Sequence, residues 1–166
     1  MKRWGRWVLA GLGLLVIGLG IWLWPVVRAF IKVGLPEGPE MRKYEGTSQD
    51  NLKAIRTALL LYHDNEDRFP DAAGWMDAIE GQLKTNDLTP DEARKKLRNP
   101  RLSNAGANDF GYAINDAVAG KYRGDIKDGK TVLVFESDDR RRNAHGSPEG
   151  KKGQAITLDG TVLRVP

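Results

Sequence analysis

Residues 7–27 read WVLAGLGLLVIGLGIWLWPVV, without a single charge, directly after MKRWGR with its Lys2, Arg3 and Arg6. Few segments narrow the options of a chain so far. At ~1.5 Å rise per residue a helix of this length is roughly 30 Å long, the hydrocarbon thickness of a bilayer. The run is therefore expected to be a retained transmembrane helix. A cleaved signal peptide has a shorter apolar core closed by a small-x-small site, and Val26-Val27-Arg28-Ala29-Phe30 offers none. A buried soluble helix is the other alternative, and the glycines and flanking cations argue against it. Trp4 and Trp7 at one end, and Trp22 and Trp24 at the other, stand where interfacial aromatic belts do. Lys2, Arg3 and Arg6 outweigh Arg28 and Lys32, so the expectation is a single pass through the cytoplasmic (inner) membrane. Residues 1–6 would be a cytoplasmic flank, and the carboxyl-terminal domain would lie outside the cytoplasm.

The same segment accounts for the basic character of the chain. Of 26 Lys+Arg, three lie in the first six residues, leaving 23 against 22 Asp+Glu in residues 28–166, a net +1. That balance does not describe a phosphate-binding surface, and no nucleic-acid partner is expected. Arg140-Arg141-Arg142 follows Asp138-Asp139 with no aromatic interleaved, and it reads, like Lys151-Lys152, as a solvated turn. The chain has no cysteine, which excludes thiol nucleophiles, disulfides and a lipid-modified cysteine anchor.

Residues 28–46 carry Gly34, Pro36, Gly38, Pro39 and Gly46, a density that interrupts helix and reads as a neck. Residues 47–166 then suffice for one domain with its own core. Thr47 or Ser48 caps a first helix in which Leu52, Ile55, Leu59 and Tyr62 recur at helical spacing, ending near His63–Asn65. A second helix over 72–83 would bury Trp75, Met76, Ile79 and Leu83. A third opens with Thr89-Pro90-Asp91-Glu92, a capping box with proline at the first position, and runs to about Arg98.

Strand signals follow. Phe110–Ile114 reads as a short strand, and Thr131–Phe135 as one covered on both faces. Asp159-Gly160 fits a two-residue hairpin turn. In that register Ile156 faces Leu163, and Ile156, Leu158, Leu163 and Val165 share one face. Helices before strands give an α+β domain with the first helix across a small antiparallel sheet.

NLKAIRTALLLYHDNEDRFP, a tryptophan soon after, YAINDAVAG, TVLVFESDD, NAHGSPE and AITLDGTVLRV follow in that order. The ordered series resembles the pseudopilin-like family, type II secretion and type IV pilin-related proteins with a carboxyl-terminal His/Asp-Gly signature. The resemblance implies a helix packed on a small antiparallel sheet, a structural or assembly role in the bacterial cell envelope, and secretion or pilus-assembly proteins as partners. The departures are equally specific. The apolar run holds no acid and shows no prepilin leader, and the family histidine falls at Glu149. His145 belongs to a separate segment. Leader cleavage and filament packing are not carried over.

Catalytic motifs are lacking. There is no Gly-x-Ser-x-Gly elbow, phosphate-cradling loop or His-Glu-x-x-His. His63-Asp64-Asn65-Glu66-Asp67 clusters oxygen donors without the spacing or central glycine of a calcium loop, and reads as a solvated helix exit. Glu136, Asp138 and Asp139 end a strand, where paired carboxylates do acid–base work in hydrolases; a charged strand end is the preferred reading. No catalytic residue, cofactor or metal is therefore assigned. A binding or sensing module tethered by residues 7–27 is the alternative to a structural role, with a tethered hydrolase third.

Overall fold

The computed structural model describes residues 22–25, 28 and 42–165. The chain divides into two units, Met1–Glu40 and Met41–Pro166, and the second carries the fold described below.

Helix α1 (Ser48–Glu66) begins at a reciprocal capping box. Thr47 Oγ1 accepts the Asp50 N–H at 3.2 Å, and the Asp50 carboxylate accepts the Thr47 N–H at 3.0 Å. The helix ends where Asp67 turns left-handed, at φ 61°. Leu52, Ile55, Ala58 and Leu59 recur at steps of three and four, and all are buried. Tyr62 packs against this core at its margin.

Helix α2 (Trp75–Ile79) lies between two 3₁₀ turns, Ala72–Gly74 and Glu80–Leu83. Trp75, Met76, Ile79 and Leu83 are buried as their spacing requires. Helix α3 (Pro90–Arg94) passes into a 3₁₀ turn at Lys95–Leu97. Thr89 Oγ1 accepts the Glu92 N–H at 3.2 Å, but the capping box is not closed. The Glu92 carboxylate instead takes the Tyr44 N–H at 2.6 Å and the Lys95 ammonium at 2.6 Å. A long-range tether to the incoming chain has displaced the local bond.

Five strands form one sheet: β1 (Tyr112–Asn115), β2 (Val132–Glu136), β3 (His145–Gly146), β4 (Gly153–Thr157) and β5 (Val162–Val165). Their order is β3-β1-β2-β4-β5. The β1–β3 pair is parallel and the other pairs are antiparallel, so the sheet is mixed rather than antiparallel. Tyr112, Ile114, Val134 and Ile156 face the main core with α1 and α2, while Ala113, Phe135 and Ala155 form a smaller cluster on the other face. The two-faced cover expected for β2 is what its neighbours provide. Opposite β4 the register of β2 shifts between Val132 and Val134; Leu133, the extra residue of this bulge, joins Val134 in the main core.

The hairpin register differs from the two-residue expectation. Ile156 pairs with Val162 and Ala155 with Leu163. The turn holds one more residue, with Gly160 at φ 93°, and the Thr161 N–H is taken by Thr157 Oγ1 at 3.0 Å. A slip of one residue exchanges the faces of a strand. Val162 and Arg164 therefore lie on the α1 face, and Leu163 and Val165 on the other.

The expected fold class and location need a larger correction. Among the described residues no helix is long and apolar enough to cross a membrane. This overturns the expected class with an amino-terminal transmembrane helix, and with it the single-pass inner-membrane location. Helix α1, the longest of these helices, carries Asp50, Lys53, Arg56, Asp64 and Glu66 along its length and is far from apolar. The apolar run 7–27 falls outside the described residues apart from Trp22–Pro25, which are helical. The neck at 28–46 likewise lies mostly outside them.

Leu59 is fully buried and Leu61 is 45% exposed on the same helix. Leu59→Ala is expected to cost about 2–5 kcal/mol and Leu61→Ala about 0.5 kcal/mol or less. Urea unfolding of the two variants measures the difference.

Candidate functional site

The most unusual polar arrangement lies at the end of β2, where the run VLVFE finishes in a carboxylate. Glu136 is only 7% exposed. Its Oε1 accepts a short hydrogen bond from the Ser48 hydroxyl in the first turn of α1. Its Oε2 accepts the Gln154 N–H at 2.9 Å and lies 3.5 Å from the Arg101 guanidinium. Ser48 Oγ also lies 2.9 Å from the Tyr112 hydroxyl. Because Ser48 has one proton and gives it to the carboxylate, Tyr112 donates to Ser48. Burial pushes the Tyr112 phenol far up, so it keeps that proton. The relay Tyr112–Ser48–Glu136 thus joins β1, α1 and β2, and the Gln154 amide adds β4.

A second strand of polar contacts runs alongside. The Tyr44 hydroxyl donates to Asn51 Oδ1 at 2.7 Å, and Asn51 Nδ2 donates to the Arg98 carbonyl at 2.7 Å. Both partners of Asn51 lie outside α1, which fixes the start of that helix against two separate segments.

The buried carboxylate borders an open groove. It starts at Gly46–Gln49, around the amino-terminal end of α1, in a recess of about 520 Å³. It continues past Arg101 and Gln154 to Val162 and Arg164 on β5, and past Glu136 to Lys152. Gly153 sits at φ 130° where a β-carbon would press on the Glu136 side chain. The carboxylate therefore needs glycine at that position.

The residues singled out from the sequence fall in several places. Asp138 is exposed. Asp139 is held by Arg141 at 2.7 Å, and the hydrogen bonds from Arg141 keep its carboxyl below the usual range. The partners of Glu136 are Ser48, Gln154 and Arg101, and neither aspartate is among them. His63 is not solvated: its ring packs on Phe69 at 5.1 Å between centroids, and Nε2 accepts the Arg123 N–H at 3.2 Å. Asp64, Asn65, Glu66 and Asp67 are exposed around it. Among the described residues no group of three or more His, Cys, Asp or Glu stands together as a metal site. His145 Nδ1 lies 2.8 Å from Asp116, and Glu149, four residues after His145, is exposed.

In the arginine run, Arg140 and Arg141 are exposed, as a solvated turn requires, and Arg142 departs from that reading. Arg140 pairs with Asp109 at 3.0 Å. Arg142 pairs with Asp77 and Glu80, both at 2.6 Å, and its guanidinium stands 5.3 Å from the centre of the Phe110 ring. It thereby ties α2 to the segment before β3. Lys151 and Lys152 remain exposed.

Sequence reasoning singled out Glu136 but missed Ser48 and Tyr112 as its partners, and did not bring Arg101, Gln154 or Arg164 to it. One signal was available: a glutamate closing an otherwise apolar strand needs donors from elsewhere. Comparison of the chain with known protein families, characterised proteins and solved structures finds no match.

Two outcomes follow. Glu136→Ala leaves the Ser48 hydroxyl and the Gln154 N–H without their acceptor and is expected to cost about 1–3 kcal/mol in urea unfolding. The Asn143 amide, then Arg142, hold the Asp77 carboxyl below the usual range, and Arg142, then Arg94, do the same for Glu80. Groups with lowered folded-state pKa contribute stability that is full above the ordinary carboxylate range of about 4 and is lost as pH falls through the depressed values. Urea midpoints of the protein and of Arg142→Gln should therefore be well separated at neutral pH and converge in acid.

Proposed function

We propose that the domain is a pseudopilin-like structural or assembly module without a catalytic role, working with secretion or pilus-assembly proteins. The observation that carries this reading is how the family-like segments meet. The Phe69 N–H donates to the Lys121 carbonyl at 2.9 Å, and the Gly120 N–H to the Pro70 carbonyl at 3.0 Å. Trp75 Nε1 donates to the Ala144 carbonyl at 2.9 Å, and the Met76 N–H to Asn143 Oδ1 at 2.8 Å. Arg56 grips the Leu158 carbonyl at the hairpin turn through two bonds, at 3.0 and 2.7 Å. These bonds clamp segments of the series on one another, and Glu136, which carried the hydrolase alternative, is occupied inside the same frame.

A binding module is the second reading, favoured by the groove from Gln49 to Arg164. Cross-linking in cells that express the native protein, followed by mass spectrometry, separates the two. The structural reading expects secretion or pilus-assembly proteins among the partners. Turnover of any substrate that is lost in Glu136→Gln, while the fold is kept, would contradict it.

A further inference from the structure

We propose that β5 is a docking strand, and that it takes an extended acidic segment of another protein as a sixth strand of the sheet. The strand order leaves β5 at the edge. In an antiparallel ladder alternate residues bond to the partner strand. The Thr157 N–H donates to the Thr161 carbonyl at 3.0 Å. With Ala155 opposite Leu163 and Gly153 opposite Val165, Leu163 and Val165 are the residues bonded to β4. Val162 and Arg164 therefore turn their N–H and C=O groups to the open side, where no described residue meets them. A row of unpaired backbone groups on a sheet edge is a template for strand addition.

Charge selects the occupant. Arg101, Lys152 and Arg164 line the groove beside this edge; its one carboxylate, Glu136, is satisfied by Ser48 and Gln154 and offsets only Arg101, at 3.5 Å. Among the described residues neither Lys152 nor Arg164 has an ion-pair partner. The positive end of α1 opens on the same groove at Ser48 and Gln49. A second copy of this chain would set two such cationic grooves side by side, which like charges disfavour. A strand bearing carboxylates on its groove-facing side meets Arg101 and Arg164 while its backbone pairs with Val162 and Arg164. Backbone pairing would supply the affinity and the arginines the selection. The proposal rests on the edge and its charge, and stands whether or not the structural role above is right.

Fluorescence anisotropy with the full chain and three labelled short peptides tests it. They alternate threonine with glutamate, with glutamine or with lysine. The glutamate peptide should bind at least about tenfold more tightly than the other two, and added salt should weaken it. Arg164→Glu should remove that preference. Val162→Pro removes an outward N–H and leaves the β4 ladder intact, so it should weaken the glutamate peptide about tenfold, whereas Val162→Ala, which loses the same packing against the core but keeps the N–H, should not. Equal binding of all three peptides overturns the proposal. So does a glutamate-peptide affinity indifferent to Val162→Pro, which would mean anion capture without strand addition. Sedimentation showing a dimer that Arg164→Glu dissolves would overturn it in favour of a second copy. Failure here leaves the structural role standing, since that is judged by cellular partners and by turnover.

Discussion

The hydrogen bonds that Glu136 accepts hold this domain's layers in register. A buried carboxylate is costly unless its oxygens are met, and here each is met from a different element. Ser48 brings the start of α1 to Oε1, and the Gln154 N–H brings β4 to Oε2. Tyr112 completes the set from β1 through Ser48. Apolar packing of Leu52, Ile55 and Leu59 against Ile114, Val134 and Ile156 supplies the larger share of stabilisation. That packing is non-directional. The carboxylate is what specifies where along the sheet the helix begins.

The same interaction shapes the surface. Because Glu136 lies under the first turn of α1, the helix starts beside the end of β4, and the space between that turn and β5 opens as a groove. The hairpin slip then decides what lines it. With Ile156 paired to Val162, Arg164 falls on the α1 face next to Arg101. Had Ile156 faced Leu163, Arg164 would point to the opposite side and the groove would lose one of its cations. The extra residue in the hairpin turn thus sets the charge of a surface several residues away.

Local rules made much of the domain legible in the sequence. The stripe Leu52, Ile55, Leu59 named α1 and its buried face, and Thr47 named its start. The four buried residues of 72–83 were readable from spacing, although short 3₁₀ turns replace an unbroken helix there. Thr89 and Pro90 marked α3. What escaped was long-range. The parallel β1–β3 pair rests on a two-residue strand, His145–Gly146, too short to show a period. Glu92 looked like half of a capping box until Tyr44 claimed it. Arg142 looked solvated because its partners Asp77 and Glu80 lie far back in the chain. The apolar run at 7–27 prompted a membrane assignment that no described helix supports.

For the candidate site, sequence alone gave the carboxylate at 136 and nothing of its environment. Its strand-end position read as a charged terminus; the structure surrounds it with donors from α1 and β4. A double-mutant cycle between Ser48→Ala and Glu136→Gln, read by urea unfolding, tests that claim most directly. A coupling energy of about 1 kcal/mol or more between these positions is the predicted result. Additive single-mutant effects, with no coupling, would contradict the account and return Glu136 to the list of unexplained buried acids.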